Sequence, residues 1–159
     1  MRALCTCVPG YGHFHPMVPL AQALRDAGHE VAFATEERFC RRVAQAGFRA
    51  FPAGIGPGKA FERTLALPDV AGLRSDDAWR FGAQMFAAVA APAKVPDLVA
   101  VIEEWAPDAV IHDVTDFAAR SLPPLPASRG PPTASGLSSR WTCPAWAPSW
   151  WPRCGGSGA

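Results

Sequence analysis

Two helix-to-strand joints of one design follow each other in this chain, Asp26-Ala27-Gly28-His29-Glu30-Val31 and Gln45-Ala46-Gly47-Phe48-Arg49-Ala50. Before the first, Met17, Leu20, Ala21, Leu24 and Ala27 fall at i, i+3, i+4, i+7 and i+10, one face of a helix that Pro16 can open and Gly28 stops. Before the second, Phe39, Cys40, Val43 and Ala46 repeat the pattern and Gly47 is the stop. Short apolar runs flank both helices, at Arg2 to Val8, His29 to Thr35 and Phe48 to Phe51, each of strand length. The order is βαβαβ. A strand that follows its predecessor across a helix pairs with it in parallel by a right-handed crossover, so the fold class is α/β with a Rossmann-like parallel sheet and flanking helices.

Beyond Phe51 the signal thins. Pro52 to Arg74 carries Gly54, Gly56, Gly58, Pro57 and Pro68 and reads as a long ordered loop of the kind that borders a binding site. Ser75 reads as an N-cap, with Asp76 and Asp77 in the first turn of a helix that runs to about Ala91; Pro96 starts another that ends near Trp105. Asp108 to Ile111 is a further buried strand. His112 and Asp113 follow at its carboxyl end, where open α/β sheets place their ligands.

The charge distribution divides the chain. All 14 acidic residues precede Arg120, and residues 120–159 hold 8 of the 17 prolines and 4 of the 6 tryptophans but no Val, Ile, Phe, Met, Tyr or Lys. Such a segment lacks the residues of a core helix or strand, so the expected organisation is an incomplete domain over 1–119 and a disordered or frameshift-derived tail over 120–159. No uninterrupted apolar run has spanning length, and the N-terminus lacks the order of a secretory signal, so the expectations are no membrane span and a cytoplasmic protein. The 5 cysteines form no disulfide framework. Cys5-x-Cys7 reads as two residues on one strand face, and no zinc spacing occurs, so no metal is expected. No basic stripe argues for nucleic acid.

The turn after the first strand is Pro9-Gly10-Tyr11-Gly12-His13-Phe14-His15-Pro16. Gly10-x-Gly12 resembles the start of a dinucleotide fingerprint with Glu36 or Glu37 to read a ribose, but His15 replaces its third glycine. The histidines are either simple turn residues or a general base. A base needs its second ring nitrogen held by an acceptor, and Asp113, from another strand end of the same sheet, is placed to supply one.

The run from Pro9 to Leu24 with Ala27-Gly28-His29-Glu30-Val31, and Pro107-Asp108-Ala109-Val110-Ile111-His112-Asp113, resembles the N-terminal half of antibiotic-tailoring glycosyltransferases of the UDP-glycosyltransferase superfamily, of GT-B fold. The resemblance covers residues 1 to about 119. It implies that His13, the histidine of a Gly-His-x-x-Pro motif, deprotonates the acceptor hydroxyl, with Asp113 in support. It also implies an inverting, metal-independent transfer from a dTDP- or UDP-sugar to a small-molecule aglycone such as a polyketide. Gly12, Phe14, Phe81 and Phe86 become candidate acceptor contacts, with an ordinary core role the alternative for the phenylalanines.

In that family the nucleotide sugar is held mainly by a second domain. Gly155-Gly156-Ser157-Gly158 resembles a scrap of a phosphate loop without its strand or helix. The expectation is a transferase fragment that is inactive alone, with no cofactor. The alternatives are a stand-alone acceptor-binding or auxiliary module and, more remotely, a dinucleotide-binding protein.

Overall fold

The computed structural model describes residues 1–73, 77–122 and 125. Four strands form one sheet: β1 (Arg2–Thr6), β2 (Glu30–Thr35), β3 (Arg49–Pro52) and β4 (Ala109–His112). Their order is β3-β2-β1-β4 and every pair is parallel, with Leu4 opposite both Ala32 and Val110. The carboxyl ends of all four strands therefore lie along one rim.

Alternation within the strands builds two cores. On one face Leu4, Ala32, Ala34 and Phe51 pack with Leu98, Val101 and Trp105; on the other Cys5, Cys7 and Phe33 pack with Phe14, Met17, Val43 and Phe48. The second face is covered by α1 (Tyr11–Phe14), a 3₁₀ turn (His15–Met17), α2 (Val18–Asp26) and α3 (Glu37–Gln45). Cys5 and Cys7 are fully buried on that face, as the strand reading requires. Gly28 and Gly47 end α2 and α3 at φ 82° and 83°, the left-handed conformation that makes glycine the stop in both joints.

Three elements differ from the sequence expectation. Helical structure starts at Tyr11, not Pro16, because the extended Gly10 ends the strand connection and its carbonyl accepts from both His13 and Phe14 N–H. Leu20, placed by periodicity on the inner face, is exposed. Pro52 to Arg74 is largely not a loop: α4 spans Pro57–Leu65 and a 3₁₀ turn spans Pro68–Val70. Pro57 stands in the first turn, where its missing N–H costs nothing, and α4 buries only the small residues Ala60 and Thr64, which leaves a weak apolar signal.

The third difference is the long helix. α5 (Ala78–Ala83), a π-helical stretch (Gln84–Ala90) and α6 (Ala91–Trp105) run on without a break, with Pro96 inside α6. The widened turns come directly before Pro92 in the first turn of α6, where a proline ring lacking its N–H interrupts ordinary α-helical bonding. Its 28 residues are long and apolar enough, by length and composition, to cross a membrane, a feature that counting uninterrupted runs misses because Lys94 and Asp97 divide the stretch. In this fold its Leu98, Val101 and Trp105 cover the sheet.

After β4 a turn leads to α7 (Phe117–Arg120), which stops at Ser121. The expected N-cap Ser75, its neighbour Asp76, and the Gly155–Gly158 segment lie outside the described residues, as does nearly all of the acid-free tail.

Two tests follow from this packing. Leu98 is 0% exposed, and Leu98→Ala is expected to cost about 2–5 kcal/mol in chemical denaturation, as core cavities do. Burial pushes the Cys5 thiol up from 9.0 to about 12 and, against the lowering influence of Lys94, the Cys7 thiol up from 9.0 to about 11. The unfolded chain sheds these protons first, so the stability they carry is complete below pH 9 and is lost as pH rises to about 11 for Cys7 and about 12 for Cys5. That fall, read as denaturation midpoint against pH, is expected to shrink in Cys7→Ala.

Candidate functional site

His13 is the third residue of α1, directly above the carboxyl end of β1. A Cβ at Gly10 would lie 3.2 Å from Cδ2 of its imidazole, close enough to displace the ring by a few tenths of an ångström. Asp113 arrives from the other side of β1: its N–H bonds the Thr6 carbonyl at 3.0 Å and extends the β1–β4 ladder by one residue. The two meet with Nδ1 of His13 2.9 Å from Oδ2 of Asp113. His13 is about one-third exposed and Asp113 more deeply set, 32% and 12%.

Thr115 completes the group. Its Oγ1 donates to Oδ2 of Asp113 in a short hydrogen bond, its N–H reaches the same oxygen at 3.2 Å, and Oγ1 stands 3.1 Å from Nδ1 of His13. The threonine proton is committed to the carboxylate, so both neighbours of Nδ1 present acceptors. In the neutral ring Nδ1 then carries the proton, and Nε2 is left with the lone pair. A ring held in that tautomer by a carboxylate is built to accept a proton at Nε2 and to be stabilised once charged.

The ring borders a cavity of about 130 Å³ whose wall includes Val8, Ile55, Pro57, Met85 and Phe86. That is about the room one aromatic ring occupies. Phe86 faces His13 edge-on with ring centroids 6.1 Å apart, and the widened π turns place Met85, Phe86 and Ala90 on this wall.

The other sequence candidates separate. Phe14 is buried at 2% exposure against Phe33 and Phe39, so it is a core residue and not an acceptor contact; its place on α1, one residue after His13, turns it to the sheet. Phe81 pairs with Phe61 at 5.1 Å and is not part of the cavity wall. Gly12 is exposed, and a Cβ there would meet no protein atom within 4 Å. His112 points Nδ1 at the Asp113 carbonyl, 2.9 Å away, and His15 is exposed beside Tyr11. Glu36, a candidate for a ribose, caps α3 by accepting from Phe39 N–H at 3.2 Å. Among the described residues no cluster of His, Cys, Asp and Glu suits a metal ion.

Reading motifs one at a time misses Thr115, although a threonine two residues beyond a strand-end aspartate is a local turn signal. Ile55, Pro57 and Met85 escape it too, because they lie where the sequence suggests a loop and a regular helix.

A four-stranded parallel sheet with flanking helices is the architecture of the N-terminal half of GT-B glycosyltransferases. Residues 22–127 match the model of the N-terminal domain of proteins like erythromycin biosynthesis protein CIII, and the chain belongs to that family. The L-demethylnoviosyl transferase of Streptomyces niveus is 35% identical over 120 residues, which cover 74% of this chain and 30% of the relative. The 4'-demethylrebeccamycin synthase of Lentzea aerocolonigenes is 33% identical over 119 residues, covering 74% and 28%. Among solved structures, the glycosyltransferase SnogD of Streptomyces nogalater superposes with a TM-score of 0.57 at 39% identity, over 74% of this chain and 30% of that one. The glycosyltransferase VinC in complex with dTDP superposes at 0.52 with 31% identity, over 76% and 32%. The chain thus spans about 30% of the length of the relatives it matches.

Asp113→Asn is expected to end the single-tautomer state of His13, and Thr115→Val to weaken it. Ring-nitrogen NMR shifts of His13 report both, the two nitrogens drawing together as tautomers mix.

Proposed function

We propose that residues 1–119 are the acceptor-binding part of an inverting natural-product glycosyltransferase, with His13 as general base. The observation that carries this is the Asp113–Thr115–His13 group at the edge of an apolar cavity. Nε2 of His13 takes the proton of an acceptor hydroxyl as that oxygen attacks the anomeric carbon of a nucleotide-activated sugar. The bond from that carbon to the diphosphate breaks, and the nucleoside diphosphate leaves with the bonding pair. Asp113 stabilises the imidazolium through Nδ1, and Thr115 holds Asp113 in register. No metal is needed for the proton transfer, which contributes on the order of 10² to 10⁴ in rate.

The cavity bounds the acceptor. Its apolar wall and ring-sized volume suit one ring of a flat or macrocyclic aglycone, with Phe86 against it, while the rest of a natural product lies outside the described surface. The donor, a dTDP- or UDP-sugar, is assigned to a second domain that corresponds to the remaining length of the relatives, and VinC in complex with dTDP supports a thymidine diphosphate donor. On this reading the chain works in the cytoplasm, requires no cofactor, and is inactive without donor binding.

Calorimetric titration of the chain tests the division of labour. A polyketide aglycone is expected to bind and a dTDP-sugar is not; tight donor binding would contradict the assignment, and aglycone binding in a natural setting without turnover would favour an auxiliary module. In a transferase assembled from this chain and the remaining portion of the Streptomyces niveus relative, His13→Ala is expected to lower kcat by about 10²–10⁴. Unchanged kcat in that variant removes His13 from the base role.

A further inference from the structure

Lys94 is 5% exposed in α6, and the chemistry proposed above makes no use of it. Its ammonium has three protons and three acceptors: the Cys7 carbonyl at 2.9 Å, the Ala34 carbonyl at 3.3 Å and Oδ2 of Asp116 at 2.6 Å. Asp116, 1% exposed, also accepts from Thr6 Oγ1 at 2.6 Å. The two carbonyls lie at the carboxyl ends of β1 and β2. Asp116 lies just after β4 and its N–H bonds the Asp113 carbonyl at 3.0 Å, closing a four-residue turn that contains Thr115. One helical turn further along, Asp97 takes the Gly54 N–H at 2.8 Å and ties down the connection after β3 that leads to Ile55 and Pro57. A single turn of α6 is thereby bonded to the ends of all four strands.

Packing alone does not call for such a pair. Removing two charges from water is costly, and apolar residues of similar volume in place of a buried ion pair are often as stable or more so. What an apolar pair would lack is direction. The Lys94–Asp116 bond fixes one end of the turn whose other end carries Asp113 and whose third residue is Thr115, the two groups that touch Nδ1 of His13.

We propose that Lys94 is a positioning residue: acting through Asp116, it holds the 113–116 turn so that Asp113 and Thr115 select the Nδ1-protonated tautomer of His13. This rests on the reading of His13 as the base. Lys94 touches neither His13 nor Asp113, so its effect on the imidazole is a coupling that a purely structural role does not demand.

The test uses the full chain with ¹⁵N-labelled histidine, and compares the wild type with Lys94→Met, Lys94→Met/Asp116→Leu and Asp113→Asn. Wild-type His13 is expected to show two well-separated ring-nitrogen shifts. Lys94→Met strands the Asp116 carboxylate and is expected to lower the melting temperature. The double variant removes both charges and is expected to melt above Lys94→Met but below wild type, because the buried Cys7 carbonyl and Thr6 hydroxyl lose their partners, and its two His13 shifts are expected to converge as they do in Asp113→Asn. A folded double variant that keeps the wild-type separation overturns the proposal while leaving the base reading intact. Shifts unmoved by Asp113→Asn overturn both, because the carboxylate would then not hold the ring. Should the double variant fail to fold, Thr6→Val deletes one donor to Asp116 at nearly constant shape. Partial convergence there supports the coupling, and unchanged shifts overturn it.

Discussion

The buried contact between Lys94 and Asp116 is the constraint on which the rim of the sheet depends. Desolvating the two groups costs several kcal/mol per ion, and only dense hydrogen bonding offsets that. Here every ammonium proton has an acceptor, and the one carboxylate oxygen collects both the lysine and Thr6. The Cys7 carbonyl that Lys94 takes up belongs to chain that is leaving the sheet, where a buried main-chain acceptor must find a partner outside the ladder. The charge thus stands in for a ladder bond at the place where the regular structure ends.

From that rim the site is assembled out of short-range consequences. Parallel register brings the end of β4 level with the end of β1, and one further ladder bond, Asp113 N–H to the Thr6 carbonyl, sets the height of the carboxylate. Glycine at position 10 leaves the imidazole where it stands without a shift of a few tenths of an ångström. Thr115 then removes the remaining ambiguity by committing its own proton to Asp113, so that the ring nitrogen between them can only donate. Each member is positioned by the backbone beside it, which holds a partly exposed group in one geometry.

The sheet and the histidine and carboxylate pair were legible because they rest on local signals. Period-2 and period-3.6 patterns with glycine stops point to the βαβαβ order, and strand ends point to Asp113 and to His13 or His15, between which only the family resemblance chooses His13. What stayed hidden had non-local causes. Glycine and proline around Pro57 suggested a loop because α4 buries only small residues. Pro96 suggests the start of a separate helix because a π-helical stretch is invisible to an α-helical template. Phe14 looked like a pocket residue from its neighbour, yet one step along a helix turns a side chain by about 100°, and that step carried it into the core. Lys94 was a readable anomaly, a lone cation in the apolar run from Met85 to Val95, but its partner lies on another element and could not be named from spacing.

The π-helical stretch from Gln84 to Ala90 has a consequence for how such a cavity can diversify. A widened turn holds an additional residue relative to regular winding, so one deletion within it would restore the α-helix and re-space the residues inside the stretch, while the turns on either side keep their azimuths. The anchored half, with Leu98, Val101 and Trp105 on the sheet, would stay in place, while Phe86 and Met85 would swing to new azimuths around the same helix axis. The cavity wall can therefore be re-cut by a change of length in one helix, with the sheet, His13 and Asp113 untouched.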